Sequence, residues 1–238
     1  MADTKKITVI VPLHKFDDEV KTLLTRAIDS VNKKLCEVIF VGPNDVLLEA
    51  KSVCDDATLV VNNEDSDVFT QINKAVLQCV TPYFSILEYD DVYLGEWSNI
   101  MLDKLSEKTI ILPINEYREN GTFRGFGNEI AWDAAFISEG GEIGYIGEGE
   151  LRLFSDFNVT GGIIKTEDFI SVGCLKPEFK VLTWYEFLMR VARSGKKIYV
   201  LPRVHYSHTV LREGSYMVEA KNSVTDEEIS ELLKQILG

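Results

Sequence analysis

Residues 7–13 read ITVIVPL and residues 18–31 read DEVKTLLTRAIDSV. The first is an unbroken, β-branched apolar run, the pattern of a strand buried on both faces. The second sets Val20, Leu23, Leu24, Ala27, Ile28 and Val31 at 3.6-residue spacing, which predicts an amphipathic helix. The same alternation then recurs. EVIFVG (37–42) reads as a second buried strand ended by Gly42-Pro43, LLEAKSVC (47–54) as a short helix, and ATLVVN (57–62) as a third strand. Val68, Ile72, Ala75, Val76 and Cys79 mark another helix, which Pro82 ends before the strand YFSIL (83–87). Strands alternating with helices predict an α/β fold: a mostly parallel, doubly wound sheet with right-handed crossovers.

In such sheets ligands bind beyond the carboxyl ends of the strands. YFSIL runs straight into Glu88, Tyr89, Asp90 and Asp91. Three carboxylates this close repel and raise each other's pKa. Unless water surrounds them, a positive partner is expected there.

The second half begins with a helix at about 95–107 and the strand TIILPI (109–114). Residues 115–157 lack a clean helical period and are rich in glycine, acids and aromatics. Within them GEIGYIGEGELRLF (141–154) resembles a hairpin, and Phe126, Trp132 and Tyr145 offer ring faces for a flap over the acceptor side. NVTGGIIKTEDFISVG (158–173) returns to strand, turn and helix. A helix at 183–194 turns Tyr185, Phe187 and Val191 inward, and KIYVLPRVHYSH (197–208) is a late strand. At the end, Thr225 and Glu228 form a capping box for a helix striped with Ile229, Leu232, Leu233, Ile236 and Leu237. With no repeat or linker, residues 1–238 are read as a single domain.

The bulk numbers narrow the function. A net charge of −13 argues against general nucleic-acid binding. The N-terminus enters a strand without an apolar run of signal-peptide or membrane-spanning length, and Cys36, Cys54, Cys79 and Cys174 are scattered in apolar surroundings. A cytoplasmic protein with reduced cysteines is therefore expected. The first loop, VPLHKFDDE, contains no glycine. That disfavours nucleotidyltransferases and dinucleotide- or methyl-donor-binding Rossmann enzymes.

The order of motifs resembles the family 2 type of GT-A glycosyltransferases. ITVIVPLHKF (7–16), LLTRAIDSVNKK (23–34), CEVIFVGPND (36–45), SDVFTQINKAVLQCVTPYFSILEYDDVYL (66–94), NVTGGIIKTEDFISVG (158–173) and TWYEFLMRVARSGKKIYVLPRVHYSHTVLREGSY (183–216) are each similar to a family segment in turn. The likeness covers most of the chain outside 115–157. It implies a GT-A fold whose residues 1–114 bind a nucleotide-diphosphate sugar and whose residues 115–238 form the acceptor half, with 115–157 as an insertion. It also implies sugar transfer to an acceptor hydroxyl with inversion. The acceptor itself is left open among a glycan, a lipid-linked sugar, a protein and a modified nucleobase.

Residue by residue, the resemblance implies donor contacts at Pro12, His14, Asn44, Asp45, Asn73, Glu88 and Asp90. It implies Mn²⁺ or Mg²⁺ held by Asp90, with Asp91 and His208, to neutralise the departing diphosphate. His205 is a second late histidine, less well matched than His208. Glu88 stands where Asp is usual. Two further departures matter. The loop Gly42-Pro43-Asn44-Asp45 replaces the aspartate that reads uracil, and the Glu-Asp pair that supplies the base falls on Thr183-Trp184. Glu186, one turn on, is the expected base, with Glu148, Glu150 and Asp156 as alternatives. The competing expectation is a sugar-nucleotide-binding module with little or no transfer.

Overall fold

The computed structural model describes residues 5–63, 67–134, 142–210, 212, 215 and 223–238. Four strands begin the chain: β1 (Ile7–Pro12), β2 (Cys36–Gly42), β3 (Thr58–Val61) and β4 (Tyr83–Ile86). They alternate with helices α1 (Asp18–Asp29), α2 (Asn44–Ala50) and α3 (Val68–Val76). All four strands pair in parallel, β2 and β4 flanking β1 and β3 lying outside β2. Ile7, Val9 and Val11 of β1 pack with α1 on one face, and Ile10 packs with Phe69 and Ile72 of α3 on the other. Burial on both faces is why this strand carries no polar alternation. Asp17 caps α1 by accepting from Val20 N, and Asp67 caps α3 by accepting from Thr70 N.

Then follow β5 (Val92–Tyr93), α4 (Trp97–Asp103), β6 (Ile110–Glu119), β7 (Thr122–Gly127), α5 (Ile130–Ala134), β8 (Tyr145–Ile146), α6 (Glu148–Leu153), β9 (Ile163–Lys165) and α7 (Thr166–Ser171). A 3₁₀ helix (Pro177–Leu182), α8 (Thr183–Arg193), β10 (Ile198–Thr209) and α9 (Asp226–Leu237) complete the described chain. The sheet order is β3-β2-β1-β4-β9-β6-β10-β5, with β7 added to β6 and β8 to β10. The sheet is mostly parallel, as the alternation predicts. β9, β5, β7 and β8 are its antiparallel members.

The segment 115–157 departs from expectation. Its hairpin is β6–β7, turned by Asn120 (φ 49°) and Gly121 (φ 76°), not 141–154. Asn-Gly is a strong signal for this left-handed turn. In GEIGYIGEGELRLF only Tyr145–Ile146 is strand, and Glu148–Leu153 is helix α6. Residues 135–141 lie outside the described residues. Trp132 and Tyr145 pack against Tyr199, near the start of β10. At about 3.3 Å per residue, that is about 30 Å from His208 near its other end, so neither ring serves a flap there. Phe126 is 48% exposed on the hairpin, with its ring 5.0 Å from that of Phe123.

The inward residues of α8 are Tyr185, Phe187, Leu188 and Val191, and α9 docks Ile236 into the same core behind its Thr225–Glu228 capping box. Cys36 and Cys54 are buried, Cys79 and Cys174 half-buried, and all four are free thiols. No helix among the described residues is long and apolar enough to cross a membrane.

One glycine is fixed by backbone proximity. A Cβ on Gly42 would lie 2.0 Å from the Leu13 carbonyl oxygen, where the chain leaves β1 and β2 side by side. Gly42→Ala is expected to destabilise the protein by about 1–3 kcal/mol, read as a fall in urea midpoint at unchanged m-value. An unchanged midpoint would show that the two strand ends can separate freely.

Candidate active site

β4 ends at Ile86, and the chain turns tightly through Glu88–Asp91, closed by Asp91 N donating to Glu88 O (3.1 Å). It re-enters the sheet as β5, antiparallel to the end of β10 in the register Val92↔Ser207 and Tyr93↔Tyr206. That register sets Asp91 beside His208. Nδ1 of His208 lies 2.7 Å from Asp91 Oδ2, and Thr209 N donates to Asp91 Oδ1 at 2.7 Å. Asp91 is fully buried. Ligand atoms of Glu88, Asp91 and His208 all lie within 4.8 Å of one another.

Asp90 does not join this group. Its carboxylate accepts from Arg212 Nε (2.6 Å), and Arg212 also reaches the Tyr89 hydroxyl and covers the Tyr89 ring. Its carbonyl accepts from Arg26 (2.8 Å) and from the Thr209 hydroxyl (2.9 Å). Of the expected ligand set Asp90, Asp91 and His208, the structure brings Asp91 and His208 together with Glu88, and pairs Asp90 with Arg212. The positive partners that three carboxylates required are His208 and Arg212.

His205 is turned elsewhere. Its Nδ1 lies 3.1 Å from Leu94 O, three residues along β10 from the cluster. The Gly-Ser element of TVLREGSY falls largely outside the described residues.

The remaining donor candidates divide. Half-buried Pro12 ends β1 and exposed His14 follows it, with His14 6.0 Å ring to ring from Tyr89, and exposed Asn44 and Asp45 open α2 after β2. All four sit at the carboxyl ends of β1, which pairs with β4, and of β2, one strand further out. Asn73 does not belong with them. Its amide exchanges two hydrogen bonds of 2.9 Å with the Leu175 backbone and so pins the segment after α7 to α3.

Glu186 is equally committed. Both its oxygens accept from Arg190, Nε to Oε1 at 2.6 Å and Nη2 to Oε2 at 2.7 Å, and Lys176 lies 3.4 Å away. Arg190 in turn holds the carbonyls of Val172 and Cys174. This is a strut tying α8 to the segment after α7, not a free proton acceptor. Of the alternatives, Glu148 pairs with Arg152 and Arg193, and Glu150 caps the start of α6 at Gly147. Asp156 is exposed.

The electrostatics follow from crowding. Burial, then the Asp91 and Asp90 carboxylates, push Glu88 up to about 8, against the pull of His208 and Arg212. Burial pulls the His208 imidazole down, but Asp91, Glu88 and Asp90 outweigh it and raise the ring to about 9. Both groups hold protons more tightly folded than unfolded. Their stabilisation is complete below the unfolded pKa and is lost as pH rises through the folded one. For Glu88 that window runs from 4.5 to about 8, and for His208 from 6.5 to about 9. In chelator, the melting temperature should therefore fall as pH rises through these windows, and Glu88→Gln should flatten the fall. A melting temperature that climbs across the range in the parent protein would contradict it.

The cluster suits a divalent cation. Two carboxylates and an imidazole are a donor set for Mn²⁺, with Mg²⁺ the harder alternative. Three protein ligands would leave coordination positions for phosphate oxygens.

No family model matches the chain, and no curated protein matches it. Among solved structures it is similar to S. aureus TarS. For TarS 1–349 in complex with UDP-GlcNAc the TM-score is 0.70 at 19% identity, covering 97% of this chain and 65% of that one. TarS 1–349 alone gives 0.64 at 16% identity, with 96% and 70% covered. A further S. aureus TarS structure gives 0.63 at 16%, with 98% and 43% covered. This chain therefore spans about two thirds of the TarS chain solved with UDP-GlcNAc. At these identities the likeness is one of fold, and the fold is the GT-A-like α/β architecture of a mostly parallel central sheet with flanking helices.

Proposed function

We propose that this chain is a metal-dependent glycosyltransferase that moves a hexosyl or pentosyl unit from a nucleoside diphosphate to an acceptor hydroxyl with inversion. The observation that carries this reading is the Glu88–Asp91–His208 cluster at the carboxyl end of β4, beside the ends of β1 and β2. In such a transfer the nucleoside diphosphate is the leaving group, and a divalent cation would supply the charge that stabilises it. The chain's own contribution is to hold three ligands, to present His14, Asn44 and Asp45 to the nucleoside, and to steady Tyr89 and Asp90 under Arg212. The fold shared with TarS, solved with UDP-GlcNAc, supports a nucleotide-sugar donor. In this reading residues 1–114 form the donor half and 115–238 the acceptor half.

One observation favours a second reading, a sugar-nucleotide-binding module without transfer: Thr183-Trp184 and the occupied Glu186 leave α8 without a base. Calorimetry of UDP-, GDP- and dTDP-hexoses with Mn²⁺ or chelator tests the first reading, and release of the nucleoside diphosphate separates the two. Binding that needs Mn²⁺, with slow release, supports transfer. Binding without release supports the module. No Mn²⁺-dependent binding to any of the three would refute both.

A further inference from the structure

The ends of β10 and β6, with β7 beside them, form a shelf next to the cluster. The strand registers set His208 of β10 against Tyr117 of β6, and Tyr117 against Gly125 of β7. One row further in, Tyr206 stands against Asn115, and Asn115 against Gly127. Alternation along a strand puts Asn115 and Tyr117 on one face. Ring contacts show that it is the face of the cluster. Tyr117 stands edge-to-face with His208 at 5.7 Å between ring centroids, and Tyr206 stacks on His208 at 6.5 Å. β7 adds no side chain to either row, because glycine fills both of its positions. A Cβ on Gly127 would collide with the Tyr117 phenol, whereas one on Gly125 would meet nothing within 4 Å. Beyond Tyr117 the shelf is therefore bare backbone with room above it.

Two polar groups in these rows lack partners. The Tyr117 hydroxyl makes no hydrogen bond among the described residues, and the residue is half-buried. Asn115 is fully buried, and neither its Oδ1 nor its Nδ2 has a hydrogen-bond partner there. Folded proteins leave few such groups unbonded, and each exception calls for an explanation. Asn115 is too enclosed to touch a ligand itself, but its amide makes the floor beside the phenol polar. The phenol can reach a ligand without first breaking a bond, and it can either donate to or accept from a hydroxyl. In the transferase reading, on which this inference rests, the diphosphate sits at the cluster. The hexosyl unit hangs from its β-phosphate. It therefore lies about a ring's width from His208, the separation at which Tyr117 stands.

We propose that the shelf beside His208 holds the hexosyl unit of the donor, with the Tyr117 hydroxyl bonded to one of the sugar's hydroxyls and so selecting the sugar.

The test is calorimetry on the full chain with Mn²⁺. It takes whichever UDP-, GDP- or dTDP-hexose raises the melting temperature most, and compares it with the matching nucleoside diphosphate. Tyr117→Phe keeps the ring against His208 and removes only an unbonded hydroxyl, so the melting temperature should hold. The variant should bind the nucleotide-hexose about 3–10-fold more weakly and the nucleoside diphosphate as the parent does. A merely structural role would move both ligands alike, or neither. Deoxy analogues of the hexose locate the contact. One of them should bind the parent as weakly as the intact hexose binds Tyr117→Phe, and the variant should not distinguish the two. Unchanged affinity for the nucleotide-hexose, equal weakening of both ligands, or a variant that loses as much as the parent with every deoxy analogue would overturn the assignment. A parent protein that binds nucleoside diphosphates but no nucleotide-hexose would overturn it and leave nucleotide binding standing. One that binds neither would overturn the transferase reading as well.

Discussion

Asp91→Asn should abolish the Mn²⁺ dependence of nucleotide binding, whereas Asp90→Asn should keep it. The two residues are adjacent, but the structure separates their roles. Asp91 lies between His208 and Thr209 N with its ligand atom facing Glu88, while Asp90 is bound to Arg212. Asparagine preserves the shape and an oxygen for Thr209 N, so lost metal response in Asp91→Asn would report lost charge and not unfolding. Losing even an outer partner of a metal ligand typically costs 10–100-fold in affinity, and a ligand itself should cost at least about that much. Calorimetry with Mn²⁺ and a nucleoside diphosphate checks both variants. The reverse pattern, with Asp90→Asn silent to metal and Asp91→Asn normal, would return the ligand role to Asp90.

Glu186→Ala should destabilise the protein by about 3–5 kcal/mol without altering the donor's affinity for the fraction that folds. Removing the carboxylate leaves the largely buried Arg190 guanidinium with carbonyl partners and no counter-charge. Such a charge costs far more than the intact pair contributes. Urea denaturation gives the loss, and Glu186→Ala paired with Arg190→Met should recover part of it. A Glu186→Ala protein of parent stability whose nucleotide release has collapsed would make Glu186 catalytic after all.

The first four strands and their helices were legible because their signals are local. Strands buried on both faces, such as 7–12 and 36–42, write themselves as continuous apolar runs, and α1 and α3 carry helical stripes with aspartate caps. The crowding at Glu88–Asp91 was also legible, together with its need for positive partners, which His208 and Arg212 supply. Which carboxylate faces inward was not, because that depends on β5 pairing with β10, a contact no local pattern encodes. Arg212 gave no signal for the same reason. Glu186 and Asn73 matched a motif by position, yet each spends its polar atoms on Arg190 or on the Leu175 backbone. Position along a helix does not reveal whether a carboxylate is already bonded. The β6–β7 hairpin was readable at Asn120-Gly121, but the glycines of 141–154 drew the reading away from it.

The pairing of β5 with β10 also governs when the site can exist. Asp91 and His208 are 117 residues apart along the chain. During synthesis the first four strands emerge with their helices and can pair in parallel from nearby sequence. The Glu88–Asp91–His208 cluster cannot form until His208 and Thr209 have left the ribosome and joined the sheet. Non-local pairings of this kind are formed late and slowly. A nascent chain at that stage therefore carries three crowded carboxylates without His208, and the cluster is completed only when β10 arrives.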